Sequence, residues 1–220
     1  MNMDVQTVLI THSFQRYRRV GLNALLLLIL LFSAACSDAV PKLPTLADDA
    51  VILAFGDSLT YGTGAREDES YPAVLARLID RPVVRSGVPG EVSAQGLRRL
   101  PSVIDEYRPR LVIVCLGGND MLRKIGEGEI KHNLSNILRM LSQRGIAAVL
   151  VGVPKPALIA RAPGFYADLA REFEVPYEGD VLTSVLLATD MKSDPIHPNA
   201  RGYRKMAEAL AKLLRESGAI

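Results

Sequence analysis

The 220-residue chain is 49% hydrophobic and 23% charged, with 17 glycines and 13 prolines, a composition typical of one ordinary globular domain. Arg16, Arg18, Arg19 and Asp4 lie in the first 35 residues, and the rest of the chain carries equal numbers of basic and acidic side chains. This neutral body argues against a nucleic-acid-binding protein. Two cysteines are too few for a disulfide scaffold, and no HExxH or CxxC pattern accompanies the three histidines. The sequence therefore predicts a domain with no metal ion and no organic cofactor.

The amino-terminal segment has the layout of a secretory signal peptide. A basic cluster precedes an apolar run from Leu22 to Phe32, which only Asn23 interrupts, and small residues follow the run. The run is too short to span a bilayer comfortably. We therefore expect residues 1–35 to be a signal peptide that directs export, and a retained amino-terminal anchor is the alternative.

Cys36 comes directly after the small residues, as the lipidated cysteine does in bacterial lipoprotein signals, so a lipid on Cys36 would attach the protein to a membrane. Ser33 stands where such signals usually have Leu. With Ala35 it also satisfies the rule for ordinary signal peptidase, so lipidation and simple cleavage both remain open. Residues 36–49 are predicted to be a tether. The expected location is the periplasm or cell envelope, and secretion is the alternative.

The remaining residues, 50–220, alternate continuous apolar runs with amphipathic stretches. The runs suit buried parallel strands, and they cover residues 51–55, 82–85, 111–116 and 146–153. Helical patterns cover residues 71–79, 93–106, 127–144, 164–173 and 199–217. This alternation predicts an α/β fold, a three-layer α/β/α sandwich with a central parallel sheet of about five strands.

Small and polar residues follow the first three strands, where an open parallel sheet places its active site. The segments are GDSLTYG, SGVPGEVS and GGNDMLR, in chain order. No P-loop, GxGxxG or GxSxG motif is present, so phosphate binding, dinucleotide binding and the ordinary α/β-hydrolase class lose support.

A serine-hydrolase site can be assembled from these segments. His197 is the candidate base, because one other histidine lies in the leader and the third, His132, lies on a helix that should be solvated. Asp194 precedes His197 by three residues and can fix its tautomer. Ser58 is the candidate nucleophile. Oxyanion donors are available from the backbone at Ser58 and Gly90 and from the amide of Asn119.

Each of these features has an ordinary structural explanation when it is taken alone. The GDSL and GGND segments could be loops, Gly90 a turn glycine and Asp194 a helix cap. Their conjunction, in order and after the right strands, favours the catalytic interpretation. Cys115 lies inside an apolar run and is predicted to be a core residue, and Asp57 is predicted to support the Ser58 loop.

The same segments resemble the GDSL, or SGNH, hydrolase superfamily over about residues 50 to 217. The matching blocks are Gly56-Asp57-Ser58-Leu59, Gly90, Gly117-Gly118-Asn119-Asp120 and Asp194-Pro195-Ile196-His197. Within the superfamily the chain is similar to the bacterial thioesterase, lysophospholipase and arylesterase group. The resemblance implies a flavodoxin-like sheet, a Ser58, His197 and Asp194 triad, and an oxyanion hole made by Ser58, Gly90 and Asn119.

Two residues depart from the group, and both bear on substrate range. Met121 stands where many members have Gly, and Ser86 where many have Asn. Apolar residues near the presumed cleft favour acyl chains, and the segment 154–164 is expected to be a mobile loop beside the acyl path. The predicted substrate contacts are Met121, Leu122, Leu158 and Ile159, with Leu59 beside them.

The sequence thus predicts a monomeric serine esterase acting on small acyl esters or thioesters through an acyl-enzyme on Ser58, with no nucleic-acid partner. A carbohydrate O-acetylesterase is one alternative, although the chain has no tryptophan to stack on sugars. A non-catalytic envelope lipoprotein is the other alternative.

Overall fold

A computed structural model of the chain describes residues 39–155 and 161–220 and places five parallel strands in one sheet. The strands are β1 (Ile52–Gly56), β2 (Val83–Gly87), β3 (Leu111–Cys115), β4 (Ala147–Val151) and β5 (Tyr177–Glu178). Their spatial order is β2-β1-β3-β4-β5. In the central register Phe55 of β1 lies opposite Ser86 of β2 and Val114 of β3. The prediction of a parallel sheet of about five strands is confirmed.

The two central strands are apolar on both faces because helices cover the sheet on both sides. β1 and β3 are buried along their whole length. Burying one large aliphatic side chain stabilises a protein by about 1.5–3 kcal/mol, so these strands form the centre of the core. Cys115, the last residue of β3, is fully buried, which confirms it as a core residue.

Helices form the two outer layers. They are α1 (Ser58–Tyr61), α2 (Tyr71–Ile79), α3 (Ser93–Tyr107), α4 (Gly118–Leu122), α5 (Glu127–Gln143), α6 (Gly164–Glu172), α7 (Val181–Leu187) and α8 (Ala200–Glu216). Helix α2 packs against α8, and α7 also contacts α8. Helix α5 packs against α3 and α6. The three-layer arrangement predicted from the sequence is confirmed.

Helix α8 shows how the sequence anchors the loop in front of it. Its buried residues recur every three or four positions, at Tyr203, Met206, Leu210 and Leu214, so one face of the helix packs on the core. The side chain of Asn199 caps the helix by accepting the N–H groups of its second and third residues, at 3.0 and 3.2 Å. The preceding loop, which carries His197, therefore ends on a fixed helix start.

The structure adds elements that the sequence patterns did not predict. Strand β5 and helix α7 lie outside the predicted runs, and the strand predicted over 146–153 ends at Val151. β5 is only two residues long, so it offers no apolar run to detect.

The described part of the predicted 36–49 tether packs on the domain. The Leu43 N–H donates to the Ser217 carbonyl at 2.9 Å, and the Leu46 N–H donates to the Ala219 carbonyl at 2.8 Å. Leu46 is buried, and Arg81 forms a 2.9 Å ion pair with Asp48. The predicted signal peptide and Cys36 lie outside the described residues. No helix within residues 39–155 and 161–220 is long and apolar enough to cross a bilayer.

Candidate active site

Ser58 begins the short helix α1 directly after β1. Asp57 caps this helix, because its Oδ1 accepts the Leu59 N–H at 3.0 Å. The turn needs glycine at position 56, since a Cβ there would lie 2.3 Å from the carbonyl oxygen of Cys115. The missing side chain lets the end of β1 lie close to the end of β3 and to Thr60, and the Ser58 hydroxyl follows at this carboxyl edge of the sheet.

The structure brings Ser58, His197 and Asp194 into one hydrogen-bonded chain. The Ser58 Oγ lies 3.0 Å from His197 Nε2, and His197 Nδ1 lies 2.7 Å from Asp194 Oδ2. The other carboxylate oxygen, Oδ1, accepts the N–H groups of Ile196 and His197, each at 2.9 Å. With its carboxylate fixed in this way, Asp194 holds the imidazole with Nε2 turned toward the serine.

The charge state of Asp194 suits this arrangement. Partial burial alone would raise the pKa of its carboxyl, but the N–H groups of Ile196 and His197 and the His197 ring stabilise the anion. Their combined effect lowers the pKa of Asp194 below its ordinary value. Asp194 is therefore an anion over the pH range in which imidazole titrates.

The three predicted oxyanion donors come from three different strand ends. Gly90 has a left-handed φ of +79°, which glycine adopts without strain. Among the hydrogen bonds between described residues, none uses the N–H of Ser58 or Gly90 as donor. The Asn119 Nδ2 donates to Asp57 Oδ2 at 3.2 Å and to the Glu91 carbonyl at 3.1 Å. Both distances lie toward the upper end of the ordinary range for N–H···O hydrogen bonds, and we expect an incoming oxygen to share one of these hydrogens.

A cleft with a largely apolar wall opens beside Ser58 and His197. It is lined by Asp57, Leu59, Gly118, Asn119, Leu122, Val153, Pro154, Lys155, Leu186, Pro195 and Ile196, together with those two residues. Leu59 and Leu122, two of the predicted substrate contacts, therefore line this cleft. Met121 is not among the described lining residues and packs against the core, whereas its neighbour Leu122 lines the cleft. Leu158 and Ile159 lie outside the described residues, as does the middle of the predicted 154–164 loop.

Asp57 is a buried carboxyl beneath this site, and sequence reasoning gave it only a supporting role. Burial raises the pKa of Asp57 to about 7, and the carboxyls of Glu91 and Asp120 add to the shift. The Leu59 N–H and the Asn119 amide oppose it. Near neutral pH this carboxyl therefore exists in both protonation states.

Protonation of Asp57 should make the free energy of unfolding depend on pH. Between about pH 4 and about pH 7 the folded protein retains a proton that the unfolded chain has lost. The contribution of this proton to the free energy of unfolding is therefore complete below about pH 4 and disappears as the pH rises through about 7. The change is on the order of 4 kcal/mol. Denaturant unfolding at several pH values should show this loss in the wild type and a flatter dependence in Asp57→Asn. The exposed Asp105→Asn is the control, and parallel curves for wild type and Asp57→Asn would contradict the assignment.

Buried polar residues tie the GGND segment to the start of α3, and the sequence analysis did not find them. The Asp120 carboxylate accepts both the N–H and the hydroxyl of Ser93, at 2.8 and 2.5 Å, and the Asn133 amide donates to the same hydroxyl at 3.0 Å. Asp120 and Ser93 are completely buried. The only sequence signal was the place of Asp120 in the motif. His132, by contrast, is exposed on α5 as expected.

A serine hydroxyl, an imidazole and a carboxylate in series, beside backbone N–H groups at the carboxyl edge of a parallel sheet, can perform acyl transfer. Fold and site together define the class as that of the serine hydrolases with an α/β/α sandwich. The chain belongs to the GDSL-like lipase/acylhydrolase family, whose model matches residues 54–205. The family membership that the motifs indicated is therefore confirmed, and the protein is a carboxylic ester hydrolase.

Three known proteins show how far the similarity extends. The chain is 31% identical over 211 residues to thioesterase 1/protease 1/lysophospholipase L1 of Escherichia coli K12, covering 92% of this chain and 96% of that protein. It is 29% identical over 202 residues to an arylesterase of Vibrio mimicus, covering 86% and 96%. The crystal structure of AlinE4, an SGNH-hydrolase family esterase, is 33% identical, with a TM-score of 0.60, and covers 79% of this chain and 98% of its own.

Proposed function

We propose that the protein hydrolyses esters or thioesters of acyl chains through a covalent acyl-enzyme on Ser58. The observation that carries the proposal is the hydrogen-bonded series of Ser58, His197 and Asp194, at 3.0 and 2.7 Å, beside an apolar cleft. Relatives at about 30% identity are named thioesterase, lysophospholipase and arylesterase, which agrees with acyl substrates.

In the first half of the reaction the Ser58 Oγ attacks the carbonyl carbon while His197 Nε2 takes the hydroxyl proton. The carbonyl oxygen becomes an oxyanion, which accepts hydrogen bonds from the N–H groups of Ser58 and Gly90 and from the Asn119 amide. When the carbonyl reforms, the bond to the alcohol or thiol breaks, and His197 returns its proton to that leaving group.

In the second half a water molecule attacks the acyl-enzyme. His197 removes a proton from the water, a second oxyanion forms at the same donors, and the acid leaves as Ser58 regains its proton. Asp194 stays an anion throughout and stabilises the protonated imidazole that forms in each half.

The cleft indicates which part of the substrate is recognised. Leu59, Leu122, Val153, Leu186 and Ile196 give it an apolar wall, so an acyl chain can bury its methylenes there. Lys155 lies at the same cleft, where its Nζ forms a 2.7 Å ion pair with Glu127.

We expect the protein to hydrolyse p-nitrophenyl esters with kcat/KM rising from acetate to short or medium acyl chains. Leu122→Ala should lower kcat/KM by about tenfold for the preferred longer chains and leave the acetate rate unchanged, because it removes methylene contacts only. Leu187→Ala is the matched control, since Leu187 is similarly exposed and is not among the described lining residues.

Two outcomes would contradict the acyl-chain proposal. A folded protein that releases acetate from acetylated sugars and cleaves none of the aryl esters would be a carbohydrate O-acetylesterase. A folded protein that turns over neither set would support a binding role.

A further inference from the structure

The turn that carries Gly90 is held from two sides. It follows β2, and its own backbone closes through the Glu91 N–H, which donates to the Val88 carbonyl at 3.1 Å. From the exposed side, Arg123 donates to the Gly90 carbonyl at 2.8 Å. From the interior, Arg99 of α3 reaches the same turn through the side chain of Glu91.

All three guanidinium nitrogens of Arg99 donate hydrogen bonds in this position. Nε and Nη2 donate to the two carboxylate oxygens of Glu91 at 2.8 and 2.7 Å, and Nη1 donates to the Ser86 hydroxyl at 2.6 Å. The guanidinium also lies over the ring of Phe55, 4.2 Å from its centroid. The Glu91 side chain is 5% exposed and that of Arg99 22%, so solvent screens this pair weakly. One planar group thereby joins α3 to the carboxyl ends of β1 and β2.

Glu91 connects this cluster to two of the three oxyanion donors. It follows Gly90 directly, and its carbonyl accepts the Asn119 amide at 3.1 Å. A shift of Glu91 would therefore move the Gly90 N–H and the acceptor that orients Asn119 together. The placement of such donors matters within about 1 Å, because a misplacement of that size can cost about 10²-fold in rate.

We propose that Arg99 is a positioning residue for the oxyanion hole: by holding Glu91 and Ser86, it sets where the Gly90 N–H and the Asn119 amide stand. The proposal rests on the function proposed above. It also gives Ser86, which departs from the family pattern, a function as the hydroxyl that the third arm of Arg99 contacts.

Arg99→Lys tests the proposal because lysine keeps the charge and loses the fork that bonds two partners at once. We expect kcat to fall by about tenfold or more with KM unchanged, since the loss falls on the transition state. Arg98→Lys is the matched control, as Arg98 is the neighbouring residue on the same helix and is exposed. The assay is steady-state hydrolysis of the preferred p-nitrophenyl ester, with circular dichroism to verify folding.

A combined variant separates positioning from general damage. If Arg99 acts through the oxyanion hole, adding Arg99→Lys to Asn119→Ala should cost less in kcat than it costs in the wild type, because one of the two donors that Arg99 positions is already gone. Full multiplication of the two losses, or a change confined to KM, would overturn the proposal.

A second pair of substitutions covers the case in which Arg99→Lys does not fold. Glu91→Leu with Arg99→Met replaces the buried ion pair by apolar side chains, an exchange that folded proteins often tolerate. Wild-type kcat in this double variant would overturn the proposal, and a loss of about tenfold or more with KM unchanged would support it. Ser58→Ala in the same assay distinguishes a failure of the proposed function from a failure of the positioning role of Arg99. If it is as active as the wild type, the proposed function fails, whereas its inactivity beside a fully active Arg99→Lys overturns the positioning proposal alone.

Discussion

Ser58→Ala is expected to lower kcat for ester hydrolysis by on the order of 10⁶, because removing the nucleophile removes the acyl-enzyme route altogether. The Ser58 Oγ is the atom that His197 Nε2 contacts at 3.0 Å, and among the described residues no second hydroxyl contacts that ring nitrogen. The variant should unfold at nearly the wild-type temperature, since the backbone of α1 is held by the Asp57 cap and not by the Ser58 side chain. Release of p-nitrophenol and a thermal unfolding curve measure the two quantities.

The matched control for this prediction is Ser142→Ala, which removes an exposed hydroxyl near the end of α5. It should leave kcat unchanged. A Ser58→Ala protein that retains wild-type turnover would exclude the acyl-enzyme mechanism, whatever the control shows.

Asn119→Ala carries the second largest expected effect, a loss of about 10²–10³ in kcat with little change in KM. In the proposed mechanism the amide stabilises the negative charge only when the tetrahedral intermediate forms. Its loss should therefore lower kcat and leave KM nearly unchanged.

The same substitution also leaves Asp57 Oδ2 without its 3.2 Å donor, so the pKa of Asp57 should rise further above about 7. Asn136→Ala is the comparison, because the side chain of Asn136 contacts His132 and Arg139 on α5 and not the cleft. It should leave kcat unchanged. Equal kcat in Asn119→Ala and the wild type would remove Asn119 from the oxyanion hole.

Much of the fold could be predicted because its central strands are continuous apolar runs. The apolar runs predicted as strands over 51–55 and 111–116 correspond to β1 and β3 within one residue at each end, and the helix predicted over 71–79 matches α2. Strand β5 could not be predicted this way, since its two residues are held by pairing with β4 and not by their own pattern. Tertiary contacts likewise decide the packing of residues 40–49 on the end of α8.

Part of the candidate site could also be predicted from the sequence. The predicted residues follow strands and have side chains or backbone groups suited to acyl transfer; they are Ser58, Gly90, Asn119, Asp194 and His197. The residues that support them do not share that signal. The hydrogen-bonded pairs Arg99–Ser86 and Ser93–Asp120 are separated by 13 and 27 positions in the sequence. No local sequence pattern predicts a contact over such a separation. Met121 shows that the sequence could not predict every substrate contact. Met121 and Leu122 are both apolar, and only the course of α4 decides which of the two lines the cleft.

The packing of Leu43 beside Ser217 has a practical consequence. Residues 43–46 and 217–219 lie together at one edge of the folded domain, next to the amino end of β1, while Ser58 and His197 lie at the carboxyl ends of the strands. A short peptide link could therefore join these two segments and allow circular permutation without stretching the core. A solid support or a cargo protein attached at that edge would leave the cleft facing solution, so the domain could be immobilised or displayed with its substrate path open.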